Sequence, residues 1–129
     1  MEIEAALLCD AATDQNGKLN VLGAFDTAFS ANYPMVLPHC AVAFRMRFSR
    51  VEEGEHRIRV RFADEDGRPV QPPLDAGVKV GFAPGQDSAV SNLILNIQGL
   101  KLPKPGSYAI DMAVDGRHEK SLPLRATKP

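Results

Sequence analysis

Apolar and polar residues alternate in two neighbouring segments near the middle of the chain. In residues 40–48, every second position from Cys40 to Phe48 is apolar, and Arg45 and Arg47 lie between these positions. In residues 56–62, arginines occupy the alternate positions. Alternation with a period of two is typical of a strand that buries one face and exposes the other. We therefore predict two β-strands with apolar inner faces and outer faces that carry arginine.

Shorter alternating segments, separated by turn residues, cover the rest of the chain. Asn16-Gly17 and Asp115-Gly116 are dipeptides favoured in tight hairpin turns. The ten glycines and ten prolines are spread along the whole chain and would interrupt most helices of ordinary length. The predicted strands are residues 2–9, 18–24, 40–48, 56–62, 78–82, 89–100, 108–114 and 117–125, with a further short strand within residues 25–38.

These strands predict an all-β fold, an antiparallel β-sandwich of about eight or nine strands. Two layers of antiparallel strands bury one face each and leave their charged faces exposed. An immunoglobulin-like sandwich is the first choice, and a jelly roll or a barrel is the alternative. The length of 129 residues suits one domain that spans residues 1–129.

The two segments that carry arginine are joined by a short loop, residues 49–55, which predicts an antiparallel hairpin. In that register Arg47 lies opposite Arg57, and Arg45 lies opposite Arg59. Arg61 lies further along the same face. Like charges directly opposite one another destabilise a sheet by up to about 1 kcal/mol per pair. A repulsive cluster of this kind needs a partner that offsets the repulsion. We therefore take the five arginines as the predicted site.

Two interpretations of this arginine surface remain open. Glu55, Asp111 or Glu119 on adjacent strands would neutralise the arginines within the protein. Alternatively, the arginines would bind an anionic partner. No aromatic side chain lies between the arginines to stack nucleic-acid bases, and the net charge of the chain is only −1. An acidic protein is therefore the preferred anionic partner.

Other chemical motifs in the chain are incomplete. The acidic turn at residues 64–67 lacks the further oxygen ligands of a calcium loop, so we expect a plain β-turn. His39 and Cys40 are adjacent, which places their side chains on opposite faces of a strand. Cys40 is therefore expected to be a small buried apolar residue. Nucleophile-elbow, phosphate-loop and zinc-protease motifs are missing, and we assign no catalytic residue, metal or cofactor.

The N-terminal residues and the cysteines indicate the compartment. Two of the first four residues are acidic, and the apolar run that follows has only five residues, which argues against a signal peptide. No stretch approaches the roughly 20 apolar residues of a membrane span. We expect a cytoplasmic protein in which Cys9 and Cys40 remain thiols. A disulfide between them would need the first and third strands to pack face to face.

Three stretches carry a family resemblance: residues 6–10 with 16–23, residues 56–67, and residues 105–116. Together they resemble a family of small bacterial proteins described as a domain of unknown function. The matching positions are turn and strand patterns and not chemical signatures. The resemblance implies a bacterial, cytoplasmic β domain with an immunoglobulin-like look, and it supplies no active site to transfer.

These observations favour a non-catalytic protein-binding or scaffolding module that self-associates through an exposed sheet edge or an apolar face. An anion-binding regulator that uses the five arginines is one alternative. Another is a small enzyme with a loop-built site near residues 64–66 or His39. We expect a protein partner or a second copy of the chain, and neither a membrane nor nucleic acid.

Overall fold

The computed structural model describes all 129 residues, and most of the chain is in β-strands. The only helical segment is a 3-10 turn at Arg50–Glu52, and no helix has the length and apolar content to cross a membrane. The strands are β1 (Glu2–Gln15), β2 (Lys18–Ala24), β3 (Thr27–Phe29), β4 (Met35–Ser49), β5 (Gly54–Asp64), β6 (Leu74–Val80), β7 (Ser88–Leu102), β8 (Gly106–Val114) and β9 (Arg117–Thr127).

The nine strands form two sheets. One sheet has four strands in the order β2-β1-β4-β7, and the other has five in the order β3-β9-β8-β5-β6. All neighbours are antiparallel except β3 and β9, which run parallel. The prediction of an all-β, sandwich-like fold with about nine strands is confirmed. The finer expectation of an immunoglobulin-like sandwich stays a prediction.

The core lies between the sheets and consists of one cluster of 22 buried residues. β4 contributes every second side chain from Cys40 to Phe48, and β5 contributes Ile58, Val60 and Phe62 in the same way. β8 adds alternate apolar side chains from Tyr108 to Val114. No polar or charged residue is buried. The period-two pattern therefore predicted the inner faces of these three strands correctly.

The predicted hairpin between β4 and β5 is wrong. β4 pairs with β1 and β7, whereas β5 pairs with β6 and β8 in the other sheet. The link between them contains the 3-10 turn, in which the Glu52 carboxylate accepts hydrogen bonds from the Ser49 backbone and hydroxyl. This link carries the chain from one sheet to the other. The apolar faces of β4 and β5 therefore meet across the core, which buries both.

β1 is longer than predicted and bends near Asp10. Phe25 donates a backbone hydrogen bond to the Leu8 carbonyl, and Gly23 has a φ of 68°. This positive φ favours glycine, and a Cβ at position 23 would also meet the Asp10 carboxylate, which is the end of a movable side chain. Residues 9–15 of β1 form a hairpin with β2. Apolar side chains of this hairpin cover the outer face of β4. Ala12, Leu19 and Val21 pack there on Cys9, Ala41 and Ala43.

Cys9 and Cys40 are both free thiols and both completely buried. Their strands, β1 and β4, are neighbours in one sheet and do not pack face to face. Cys40 lies in the main core, whereas Cys9 belongs to the small cluster on the outer face. Burial, together with the nearby Cys9 and Asp10, raises the pKa of Cys40 to about 11. The prediction that Cys40 is a small residue buried in the apolar core is confirmed.

Phe44 provides a test of the core. It is 0% exposed at the centre of β4, so Phe44→Ala should lower the free energy of unfolding by about 3–5 kcal/mol. Urea unfolding followed by far-ultraviolet circular dichroism measures this. Val51→Ala is the control, because Val51 is 93% exposed and its truncation should change stability by less than about 0.5 kcal/mol. Equal stabilities for the two variants would contradict the placement of β4.

Candidate anion-binding groove

The structure divides the five predicted arginines between the two outer surfaces of the sandwich. Arg45 and Arg47 lie on β4, on the outer face of the four-stranded sheet. Arg57, Arg59 and Arg61 lie on β5, on the outer face of the five-stranded sheet. The prediction of one continuous surface is therefore wrong. The crossing between the sheets, which replaces the hairpin, is the physical reason.

Arg45 and Arg47 are bound internally by Glu4. Its carboxylate lies 3.0 Å from Nε of Arg45 and 2.6 Å from Nε of Arg47. Arg45 also donates to the Gly17 carbonyl and to the Asn92 side chain. The hydrogen bond from Arg47 is the main cause of a lowered pKa of Glu4. Burial opposes this effect, and the hydrogen bond from Arg45 lowers the pKa further. These two arginines are thus bound within the protein by one shared carboxylate, that of Glu4, and by none of the expected residues Glu55, Asp111 and Glu119.

Arg57, Arg59 and Arg61 lie in a groove of about 620 Å³ on the other surface. Small residues flank them, because Gly77 is opposite Arg57 on β6 and Ala113 is opposite Arg59 on β8. Arg57 and Arg59 therefore each have one small neighbour, whereas Asp75 is opposite Arg59 on β6 and Asp111 is opposite Arg61 on β8. The ionisable side chains that line the groove are Arg57, Arg59, Arg61, Asp75, Asp111 and His118.

Only one arginine of the groove has a carboxylate partner. Nε of Arg59 lies 3.4 Å from Asp75, and both side chains are about half exposed. Arg57 and Arg61 form no ion pair, and their side chains donate no hydrogen bond within the protein. Asp111 is opposite Arg61 in the sheet register, but it hydrogen-bonds elsewhere. Two guanidinium groups are thus free to bind an external anion.

Asp111 binds Ser121 on the neighbouring strand β9. The Ser121 hydroxyl donates to the Asp111 carboxylate over 2.5 Å, and Nε2 of His118 lies 3.2 Å from the same hydroxyl oxygen. A nucleophilic serine needs a base that accepts its proton and a third group that orients the base. Here the proton of the serine is directed at the aspartate, and the aspartate does not contact the histidine. The arrangement positions polar groups along the groove, and it lacks the geometry of an activated nucleophile.

A second polar cluster lies where the chain crosses between the sheets. Nδ1 of His56 is 2.7 Å from the Asp115 carboxylate, and Nε2 is 2.6 Å from the Glu52 carbonyl oxygen. The ring stacks on Phe48 at 4.8 Å between centroids. Both ring nitrogens face acceptors, which requires the doubly protonated imidazolium. Burial lowers the pKa of His56, but the hydrogen bonds to Asp115 and Glu52 outweigh burial and raise it.

The remaining predicted candidates are placed apart from the groove. The Asp64 carboxylate accepts hydrogen bonds from the backbone of Asp66 and Arg68, and Gly67 donates to the Asp64 carbonyl. This is the plain turn that was expected. His39 is exposed, and Cys40 points into the core on the opposite face.

Sequence reasoning missed part of the groove. Asp75 was overlooked because β6 begins at Leu74, four residues before the strand predicted at residues 78–82. Ser121 and His118 were inside a correctly predicted strand but carried no motif. The sequence did carry one indication of the groove. Asp111 lies between the inward-facing residues Ile110 and Met112 of β8, so its side chain lies on the outer face, beside β5.

The family described as a family of unknown function (DUF6941) matches residues 4–127. No curated protein matches the chain. The matched segment includes every strand that forms the groove. Of all nine strands, it leaves out only the first two residues of β1, which belongs to the other sheet.

The His56 cluster predicts a pH dependence of stability. Because the folded-state pKa of His56 lies above its ordinary value of 6.5, its stabilising contribution is complete below that value. It is lost as the pH rises through the raised pKa. Urea unfolding between about pH 5.5 and 8.5 should therefore show falling stability across this range, the span over which histidine titrates.

Asp115→Asn should weaken this pH dependence, because the variant removes the charged partner of His56. His39→Gln is the control, since the His39 side chain is exposed and makes no hydrogen bond within the chain, and it should retain the slope of the original protein. Identical slopes for Asp115→Asn and the original protein would contradict the assignment of the slope to this pair.

Proposed function

Because the chain belongs to this family of unknown function, its role is inferred from the groove, and we propose that it is a non-catalytic protein-binding module. The groove binds an acidic segment of a partner protein. The observation that carries the proposal is the row of Arg57, Arg59 and Arg61, of which two have no carboxylate partner within the protein.

The spacing of the arginines suits an extended peptide. Side chains at alternate positions of a strand are about 6.7 Å apart, because each residue advances the chain by 3.3–3.4 Å. An extended segment with Asp or Glu at every second position presents its carboxylates at the same interval. Guanidinium groups bind carboxylates through paired hydrogen bonds. Three successive arginines would therefore match three alternate acidic residues.

The charge of the groove favours a short acidic segment over nucleic acid. Three arginines face Asp75 and Asp111, which leaves a single excess positive charge when His118 is neutral. This is a weak field for a polyanion, whose binding depends on neutralising many phosphates. The groove also contains no aromatic side chain to stack bases. A protein segment with a few well-spaced carboxylates needs neither feature.

The ion pair between Arg59 and Asp75 does not block binding. Both partners are about half exposed, at 47% and 62% of their side-chain surfaces. Exposed ion pairs of this kind contribute at most about 1 kcal/mol. An incoming carboxylate could therefore replace Asp75 as the partner of Arg59 at little cost. Asp75 would then act as a weak internal competitor that disfavours partners with fewer charges.

The experiment uses a labelled ten-residue peptide in which every second residue is glutamate, and fluorescence anisotropy measures its dissociation constant. The original chain should bind the peptide, and binding should weaken as salt rises because exposed charge pairs are screened. Replacing both Arg57 and Arg61 with Glu should raise the dissociation constant by about tenfold or more, since charged hydrogen bonds contribute about 1.5–3 kcal/mol each.

Two controls separate specific binding from general attraction. The double variant Arg68→Glu with Lys104→Glu changes the net charge equally but lies outside the groove, so it should retain affinity. A peptide with its five glutamates in one block keeps the charge but loses the spacing, and it should bind more weakly. Equal losses for both double variants, or tighter binding of single-stranded DNA than of the alternating peptide, would refute the proposal.

A further inference from the structure

β7 is the longest unprotected sheet edge in the molecule. It has 15 residues and pairs only with β4, at the edge of the four-stranded sheet. The outward-facing backbone groups of β7 receive no hydrogen bond from any side chain or loop. The other edge strands are shorter, with seven residues in β2, three in β3 and seven in β6. An edge of this length is a template for another strand.

The devices that normally protect an edge are missing from most of β7. Ser88–Leu100 contains neither a charged residue nor a proline. By contrast, the edge strand β6 carries Asp75 and Lys79 and follows a proline-rich segment. Inserted charges and prolines are the usual means by which a protein prevents an edge from pairing with another chain. Their absence from β7 indicates that this edge is made to pair.

The sequence of β7 is self-complementary. Asn92-Leu93-Ile94-Leu95-Asn96 reads the same in both directions around Ile94. In an antiparallel pair of two copies with a twofold axis at Ile94, Asn92 lies opposite Asn96 and Leu93 lies opposite Leu95. A twofold interface joins the same patch of both subunits and therefore requires self-complementarity of this kind. Within residues 92–96, polar side chains then meet polar side chains and apolar side chains meet apolar ones, whereas further out Ser91 is opposite Ile97 and Val90 is opposite Gln98.

The two faces of the paired strand would also continue correctly. Leu93 and Leu95 are opposite Phe44 and Val42 of β4, so their side chains lie on the core side of the sheet. Ile94 lies on the outer side, where it packs on the cluster around Ala43. In the twofold pair each side chain keeps its face, so the apolar layer of one copy extends into that of the other.

We propose that two copies of the chain pair through β7, antiparallel and centred on Ile94. The two four-stranded sheets then form one continuous eight-stranded sheet. Pairing over residues 90–98 adds about eight or ten backbone hydrogen bonds between the copies. The interface involves the four-stranded sheet, whereas the arginine groove lies on the five-stranded sheet. The dimer and the groove can therefore be tested, and can fail, independently.

Sedimentation velocity over a wide concentration range tests the proposal. The chain has a mass of 14.0 kDa, and a concentration-dependent shift to twice this mass is expected. Ile94→Lys and Ile94→Glu each place like charges opposite one another at the twofold axis, so each variant alone should dimerise at least about tenfold more weakly. An equimolar mixture of the two variants should restore the dimer, because unlike charges then face each other.

Leu22→Lys is the matched control, since Leu22 is 71% exposed on β2, and it should leave dimerisation unchanged. Hydrogen exchange of the unmodified chain provides a second measurement that needs no variant to fold. Amides of Ser88–Leu100 should exchange more slowly at high protein concentration than at low concentration. A monomer at every concentration would overturn the proposal. A dimer in which these amides gain no protection would also overturn it. The same holds if β7 is protected only when a peptide of unrelated sequence is added.

Discussion

The inner face of β4 is the constraint on which the rest of the structure depends. Its alternate apolar side chains from Cys40 to Phe48 are all 0% exposed, in a strand that lies between two neighbours of its own sheet. Each large apolar side chain that is fully buried contributes roughly 1.5–3 kcal/mol, so this face needs a second apolar layer. β5 and β8 supply that layer. Because strand side chains alternate, burial of both layers forces the arginines of β4 and β5 onto opposite outer surfaces.

Period-two patterning predicts which face of a strand is buried, but it leaves open which strand lies beside which. The strand assignments at residues 40–48 and 56–62 were correct, and so were their inner faces. Their pairing was wrong because the same short link can close a hairpin or cross between sheets. The choice depends on contacts distant in sequence, such as the hydrogen bond from His56 to Asp115, which are 59 positions apart. Local sequence carries no record of those contacts.

The candidate site shows the same division between local and distant information. Alternation correctly placed all five arginines on outer faces of the sheets, yet which carboxylates they contact depended on sheet order. Glu4 lies 41 positions before Arg45, and it reaches both arginines of β4 because β1 is the neighbour of that strand and is irregular between Ile3 and Ala5. β5 also has acidic neighbours, but only Asp75 pairs with one of its arginines, Arg59. Asp111, opposite Arg61 on β8, is bound to Ser121 instead.

The separation of an open edge in one sheet from an arginine groove on the other has a consequence for affinity. A groove with a single excess positive charge would hold one acidic segment only weakly under the proposed function, since exposed charge pairs contribute little individually. Joining two chains through β7 would leave both grooves uncovered, because they lie on the outer face of the other sheet. A partner with two acidic segments could then bind both grooves. The second binding event would be intramolecular, and it would raise the overall affinity well above that of one groove without any new contact.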